Sequence, residues 1–194
     1  MPSATVNVME AAARKAARGL IRDFGEVENL QVSRKGPADF VSEADRRAER
    51  ILRTELAKAR PGFGLLMEES GESAGSDTSH RWIVDPLDGT TNFLHGIPRF
   101  AISIALEHNR ELVAGVVYDP LRDELFWAEK GTGCFLNRRR LRVSARRLLD
   151  DAVLATGIPF RGCPGAEAFH ATVAKAMAAT AGVRRFGSAA LDLA

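Results

Sequence analysis

The sequence predicts an α+β chain that continues into an α/β unit, and three observations carry this. Apolar residues recur at helical spacing through the N-terminal part. Short apolar runs separated by tight turns follow, from Phe63 to Val143. A strand, an Ala-rich helix and a further β segment come last. Helices, then an antiparallel run, then β-α-β place residues 1–148 in an N-terminal α+β domain and 149–194 in the start of a C-terminal α/β domain.

Each element has its own signal. Met9, Ala12, Ala13, Ala16, Leu20, Ile21 and Phe24 form one helical stripe, which Gly25 stops. Residues 28–41 look irregular or extended, with Lys35-Gly36-Pro37 in a loop. Ser42-Glu-Ala-Asp45 is a capping box that opens a second helix, whose inner face carries Ala48, Ile51, Leu52 and Leu56. Pro61-Gly62 ends it, and Phe63–Met67 is a short strand. Residues 70–80, rich in Gly and Ser, are expected to be a loop. Trp82–Val84 is a buried strand; Phe100–Glu107 and Leu112–Tyr118 are two more, joined by a His-Asn-Arg turn. Leu125–Glu129 and Cys134–Asn137 flank the turn Lys130-Gly-Thr-Gly133, where glycine supplies positive φ. Leu141–Val143 is a further strand, Val153–Ala155 another, 165–181 a helix, and Ser188 caps a last helical piece.

Composition excludes several classes. At 194 residues and 45% hydrophobic content the chain can bury one good core and up to two small ones. A net charge of +2 on a 27% charged sequence marks no nucleic-acid or membrane surface. Arg138-Arg-Arg140 and Arg146-Arg147 are taken as a solvated basic face, since aromatics are not interleaved with them. Cys134 and Cys163 are too few for a disulfide framework and lack zinc spacing, which suits reduced thiols. No apolar run has membrane-spanning length, and Glu10, Arg14 and Lys15 interrupt any signal-peptide core. The expectation is a cytoplasmic protein.

The chemistry concentrates in three short stretches: Met67-Glu-Glu-Ser70, Asp85-Pro-Leu-Asp-Gly-Thr-Thr91, and Asp45 in the capping box. Taken singly, Asp-Gly is a turn, Glu-Glu after a strand is solvated, and Ser-x-x-Asp is a cap. Taken together, each at the end of an element, they fit a hard-cation site. Asp85 would bridge two ions, Asp88 would take one of them, the Leu87 carbonyl would point inward, and Glu68 would join from the neighbouring strand end. Such a cluster suits phosphoryl transfer to water. Gly89-Thr90-Thr91 would start a helix whose N–H groups face a phosphate. His80, His95, His108 and His170 show no metal spacing, and only His95 lies near the motif.

WIVDPLDGTTNFLHGIPRFAISIAL resembles the signature of the inositol monophosphatase family. MEES is similar to the family's Glu-Glu-Ser motif, although Met67 stands where glycine is usual, and KGPADFVSEAD resembles its mobile metal-linked loop and first aspartate. ELFWAEKGTGCFLN and RRFGSAALDLA also follow the family's course, so the likeness spans nearly the whole chain. It implies the layered α-β-α-β-α fold of the Mg²⁺-dependent, lithium-sensitive sugar phosphatases, with the metal site in the N-terminal domain. Histidinol-phosphate phosphatases of this kind usually carry Thr-Arg-Ala-Phe where Thr91-Asn92-Phe93 stands after Thr90, which favours inositol-phosphate-like substrates over histidinol phosphate.

The resemblance also implies roles. Glu68, Asp85, the Leu87 carbonyl and Asp88 are metal ligands for two to three Mg²⁺ ions. Thr90, backed by Asp45 and with Glu68, orients the attacking water. The Gly89 and Thr90 amides hold phosphate, and Asp88 contacts substrate. Gly187, Ser188 and Ala189 line the sugar side, and Lys35 sits on the loop that closes over a third ion. Lithium inhibition, a homodimer and a small phosphorylated polyol substrate follow, with no membrane partner and no nucleic acid. The family continues past GSAALDLA through more strands and a Trp-Asp motif that supplies another ligand. The sequence ends at Ala194, so it is expected to be a fragment or shortened product with an unfinished second sheet. The contrasting class is a non-catalytic scaffold that binds protein or RNA.

Overall fold

The computed structural model describes residues 2–26, 32–34, 40–159 and 162–194. Helix α1 (Ala4–Phe24) starts at Ser3, whose hydroxyl accepts from the Val6 N–H at 3.2 Å, and ends at Gly25 as its spacing predicts. Strands β1 (Val32–Arg34) and β2 (Phe40–Ser42) form an antiparallel pair that leads into α2 (Glu43–Ala59).

Next come β3 (Phe63–Met67), β4 (Gly71–Ser73), β5 (Asp77–Asp88), the short α3 (Thr90–Leu94), β6 (Ala101–His108), β7 (Glu111–Asp119), β8 (Glu124–Glu129), β9 (Gly133–Leu136) and β10 (Arg139–Arg140). These strands make one eight-stranded sheet in the order β10-β9-β8-β7-β6-β5-β3-β4. The β6–β7 connection is a two-residue turn with Asn109 and Arg110 at φ 52° and 66°. Positive φ at both centres matches the twist of an antiparallel pair. The β8–β9 turn has three residues, 130–132, with Gly131 at φ 81° inside it and Gly133, the first residue of β9, at φ 97°.

Helices α1 and α2 lie side by side on one face of the sheet. Met9, Leu20, Leu52 and Leu56 meet Trp82, Val84, Ile102, Ile104 and Val116 in a single core, all of them buried. Each such leucine contributes about 1.5–3 kcal/mol by leaving water. Along β6 the buried Ile102, Ile104 and Leu106 alternate with half-buried Ser103 and Ala105, the period of a strand with one face on the helices.

Beyond the large sheet, β11 (Val153–Ala155), α4 (Ala166–Ala179) and β12 (Gly182–Arg184) form a parallel β-α-β unit, and α5 (Ala189–Leu193) rests against β6 and β7. No residue of α4 is buried. Among the described residues, no helix is long and apolar enough to cross a membrane.

Three expectations need correction. Residues 70–80 are not simply a loop: they hold β4 and the first residues of β5. β4 is the edge strand of the sheet, where backbone pairing needs no apolar pattern, whereas the start of β5 is paired on β3 and β6. The sheet is mixed, because β3 runs parallel to β5. The strand expected at Leu141–Val143 is instead Arg139–Arg140, paired with Leu136 and Phe135, and the chain leaves the sheet where the apolar run begins.

Candidate active site

The parallel pairing of β3 with β5 builds the site. Its register places Met67 opposite Val84, so Glu68, one step past β3, falls beside Asp85. The Glu68 N–H donates to the Val84 carbonyl at 3.1 Å and prolongs the ladder to that point.

Just beyond Asp85 the β5–β6 pairing shifts. Asp85 pairs with Ser103 but Asp88 with Ala101, so three steps on β5 match two on β6. The extra residue makes a bulge at Pro86-Leu87, where proline has no N–H to lose. The bulge turns the Leu87 N–H back onto Asp85 Oδ1 (3.0 Å) and lets the Leu87 carbonyl accept from Thr90 Oγ1 (2.9 Å).

Gly89 is required by shape and by space. Its φ is 95°, and a Cβ there would lie 3.0 Å from the Arg99 carbonyl and 3.2 Å from that of Gly187. Helix α3 then begins at Thr90 as anticipated, but it is only five residues long. Its first amide bonded back is that of Phe93, to the Gly89 carbonyl at 3.0 Å.

Burial pushes the Asp85 carboxyl up to about 8; the neighbouring charge and hydrogen bond of Glu68 add to this, as does the charge of Asp88, while the Leu87 N–H opposes it. Two carboxyl groups that share a hydrogen bond in this way are short of a cation. The donors at hand are carboxylate and carbonyl oxygens only, which suits Mg²⁺. Among the described residues, no group of three or more His, Cys, Asp or Glu side chains gathers into a cage that would hold an ion unaided. Water, phosphate and the Leu87 carbonyl would have to complete the shell.

Asp88 is engaged elsewhere. It accepts from Ser188 Oγ, from the Ala190 N–H at 2.9 Å and from the Ala189 N–H at 3.3 Å. Ser188 occupies the N-cap position of α5, but its side chain makes no cap bond; the carboxylate of Asp88 caps that helix from across the fold. Asp88, Gly89, Gly187, Ser188 and Ala189 are therefore brought together, with Ser188 fully buried.

Thr90 Oγ1 donates to the Leu87 carbonyl and not to Asp45. The single hydroxyl hydrogen of Thr90 goes to Leu87, so the Leu87 carbonyl is already an acceptor rather than wholly open. Asp45 sits in the first turn of α2 and is 1% exposed. Lys35 lies outside the described residues. His95 is exposed at the C-cap of α3.

Two residues hold the C-terminal segment against the motif, a role that has no signal in the sequence. Asn92 is buried and donates from Nδ2 to the carbonyls of Arg99 (2.8 Å) and Phe186 (2.7 Å). Arg99 reaches Asp192 Oδ1 at 3.3 Å and lays its guanidinium 4.9 Å above the Phe186 ring. Both staple the 186–192 segment onto the aspartate motif. An asparagine directly after Gly-Thr-Thr carries no local signal for a partner so distant in sequence.

The inositol monophosphatase family model matches residues 1–194. The inositol-1-monophosphatase of Rhizobium meliloti is 60% identical over 192 residues, covering 99% of the chain and 72% of that protein. The Nus factor SuhB of Escherichia coli is 43% identical over 189 residues, covering 97% and 71%. Among solved structures, the extragenic suppressor protein suhB of Bartonella henselae superposes with a TM-score of 0.95 at 63% identity, covering 98% of the chain and 73% of its own.

Proposed function

The chain belongs to the inositol monophosphatase family, and from that premise we propose that it hydrolyses the phosphomonoester of inositol 1-phosphate or a similar polyol phosphate with Mg²⁺ bound at Glu68, Asp85, the Leu87 carbonyl and Asp88. The observation that carries this reading is the placement of Glu68 beside Asp85 by the parallel register, with Leu87 and Thr90 one bulge away.

When bound, Mg²⁺ would polarise the phosphoryl group and lower the pKa of a water. The chain's own residues do the rest. Thr90 keeps two lone pairs while its hydrogen is donated to Leu87, so it can hold a water by accepting from it. Glu68, exposed one step past β3, is proposed to take the proton of that water. Asp45, buried in the first turn of α2, is proposed to back Thr90. Gly89 admits close backbone approach, and the Gly89 and Thr90 amides are the donors proposed for phosphate. Gly187, Ser188 and Ala189 are proposed to face the polyol, held there by Asp88. Lys35 is proposed to act at a third ion, as the family resemblance implies. Two to three Mg²⁺ ions, lithium inhibition, a homodimer and a cytoplasmic location belong to the same proposal.

Phosphate release from inositol 1-phosphate tests it, measured with Mg²⁺, with EDTA, with added Li⁺, and against histidinol phosphate. Mg²⁺-dependent release that prefers inositol 1-phosphate is expected. Equal release in EDTA would remove the metal from the mechanism, and preference for histidinol phosphate would reassign the substrate.

One observation favours a second reading, a scaffold that binds RNA. Arg138, Arg139, Arg140, Arg142, Arg146 and Arg147 are all exposed, and no acidic residue occurs from 130 to 149. A relative bears the name of a Nus factor. Salt-dependent binding of a single-stranded RNA oligonucleotide, lost when Arg138, Arg139 and Arg140 become Glu while phosphate release persists, would establish a second role beside the first.

A further inference from the structure

Helix α2 carries a polar ridge with four-residue spacing: Asp45, Glu49 and Arg53. Residues so spaced share one face of a helix. Arg53 donates from Nη2 to Ser70 Oγ, and from Nη1 to Ser73 Oγ at 3.4 Å. Glu49 is 6% exposed, and its Oε2 accepts from the Glu69 N–H at 2.9 Å. The ridge thus lies under the three-residue turn Glu68-Glu69-Ser70 that joins β3 to β4.

We infer that Glu49 is a positioning residue that aims the Glu68 carboxylate at Asp85; this rests on the metal-site reading above. The orientation of a side chain follows from the two peptide planes that flank its Cα. At Glu68 the preceding plane is fixed by the Glu68 N–H on the Val84 carbonyl. The following plane carries the Glu69 N–H, and Glu49 fixes that one. With both planes tied, the Cα–Cβ bond of Glu68 has one direction, although the residue itself is exposed in a turn. Without the Glu49 acceptor the second plane loses that tie, and the aim of Glu68 is expected to loosen. A nearly buried carboxylate in a helix is costly to keep unless it accepts hydrogen bonds, and here the bond it accepts belongs to the turn that carries a proposed ligand.

The test compares Glu49→Leu with Glu49→Gln. Gln keeps the size and an oxygen that accepts from the Glu69 N–H; Leu keeps only the bulk. Mg²⁺ binding is measured by calorimetry, amide hydrogen exchange is followed at Glu69, and kcat is measured across a Mg²⁺ series. Glu49→Leu is expected to weaken Mg²⁺ binding 10–100-fold, the scale for residues that orient a metal ligand, to speed exchange at Glu69, and to lower kcat at saturating Mg²⁺ as well, because Glu68 is also proposed to take the proton of the water. Glu49→Gln is expected to restore most of the affinity. Wild-type Mg²⁺ affinity in a folded Glu49→Leu protein would overturn the inference, as would a Glu49→Gln protein equally impaired while its Glu69 amide stays protected. Rapid exchange at Glu69 in the unmodified protein would overturn it without any variant. Failure of the unmodified protein to bind Mg²⁺ would instead overturn the metal-site reading itself, and this inference with it.

Discussion

Replacing Asp85 by Asn should stabilise the metal-free protein and abolish its activity together. In the folded chain the Asp85 carboxyl is pushed from an ordinary 3.8 up to about 8, by burial first and then by Glu68 and Asp88. Because the folded pKa exceeds the unfolded one, the folded state holds a proton that the unfolded state releases between these values. Stability is fully present below about pH 4 and falls as pH rises through about 8. At 1.36 kcal/mol per pH unit the full loss corresponds to at most roughly 6 kcal/mol. Asp85 is only half-buried and Glu68 is exposed, so water screens part of this. A loss of about 2–3 kcal/mol at pH 8.5 is the realistic figure. Asn has the same size and no charge, so Asp85→Asn in EDTA should melt about 4–12 °C above the unmodified protein at pH 8.5, with the gain shrinking towards pH 4. Mg²⁺ should raise the Tm of the unmodified protein but hardly that of the variant, which should release no phosphate. Scanning calorimetry at the two pH values, with EDTA or Mg²⁺, measures all of this. An unchanged or lower Tm at pH 8.5 would refute the crowding of charge around Asp85, and retained Mg²⁺-dependent turnover would remove Asp85 from the site.

Thr90→Ala should lower kcat by about 10²-fold, on the scale of a group that handles the reacting water, with Thr90→Ser retaining most of it; steady-state kinetics across a Mg²⁺ series would instead assign Thr90 to the metal if kcat at saturation held while the Mg²⁺ requirement rose steeply. Ser188→Ala removes a fully buried hydroxyl bonded to the Asp88 carboxylate and should cost about 1.5–3 kcal/mol in urea denaturation; a loss near zero would mean that the Ala189 and Ala190 amides alone hold Asp88. Gly187→Ala should cost more than Gly96→Ala. Both glycines have positive φ, but a Cβ at 187 would lie 2.6 Å from the Asn92 amide whereas the space at 96 is open. Equal losses in thermal melts would show that backbone strain, and not the Asn92 contact, dominates at 187.

Much of this protein was legible in the chain because it is decided within a few residues. The apolar stripe of α1 and its stop at Gly25 came from helical period and capping alone. The bounds of β3 came from a short apolar run flanked by turn residues. The strand of β6 and the His-Asn-Arg turn that follows it are also local matters. The aspartate motif could be singled out as a candidate metal site because oxygen-donor chemistry shows in residue types.

Tertiary structure decided what depends on pairing across distance. Whether β3 joins β5 in parallel, and in which register, has no local signature, yet one step of slip would carry Glu68 away from Asp85. Residues 70–80 carry no strand pattern, and only a partner strand makes part of them β structure. The bond from Ser188 to Asp88 spans 100 positions, so nothing near either residue announces it; instead the local pattern led Ser188 to be taken as a cap for its own helix. The Glu69 amide was bound to need an acceptor once its turn left the sheet, but which carboxylate met it depended on how α2 packed over β3 and β5. Local sequence sets the conformations a segment prefers, whereas the partner of a buried polar group is chosen only when the packed core brings distant segments together and leaves that group no water to bond.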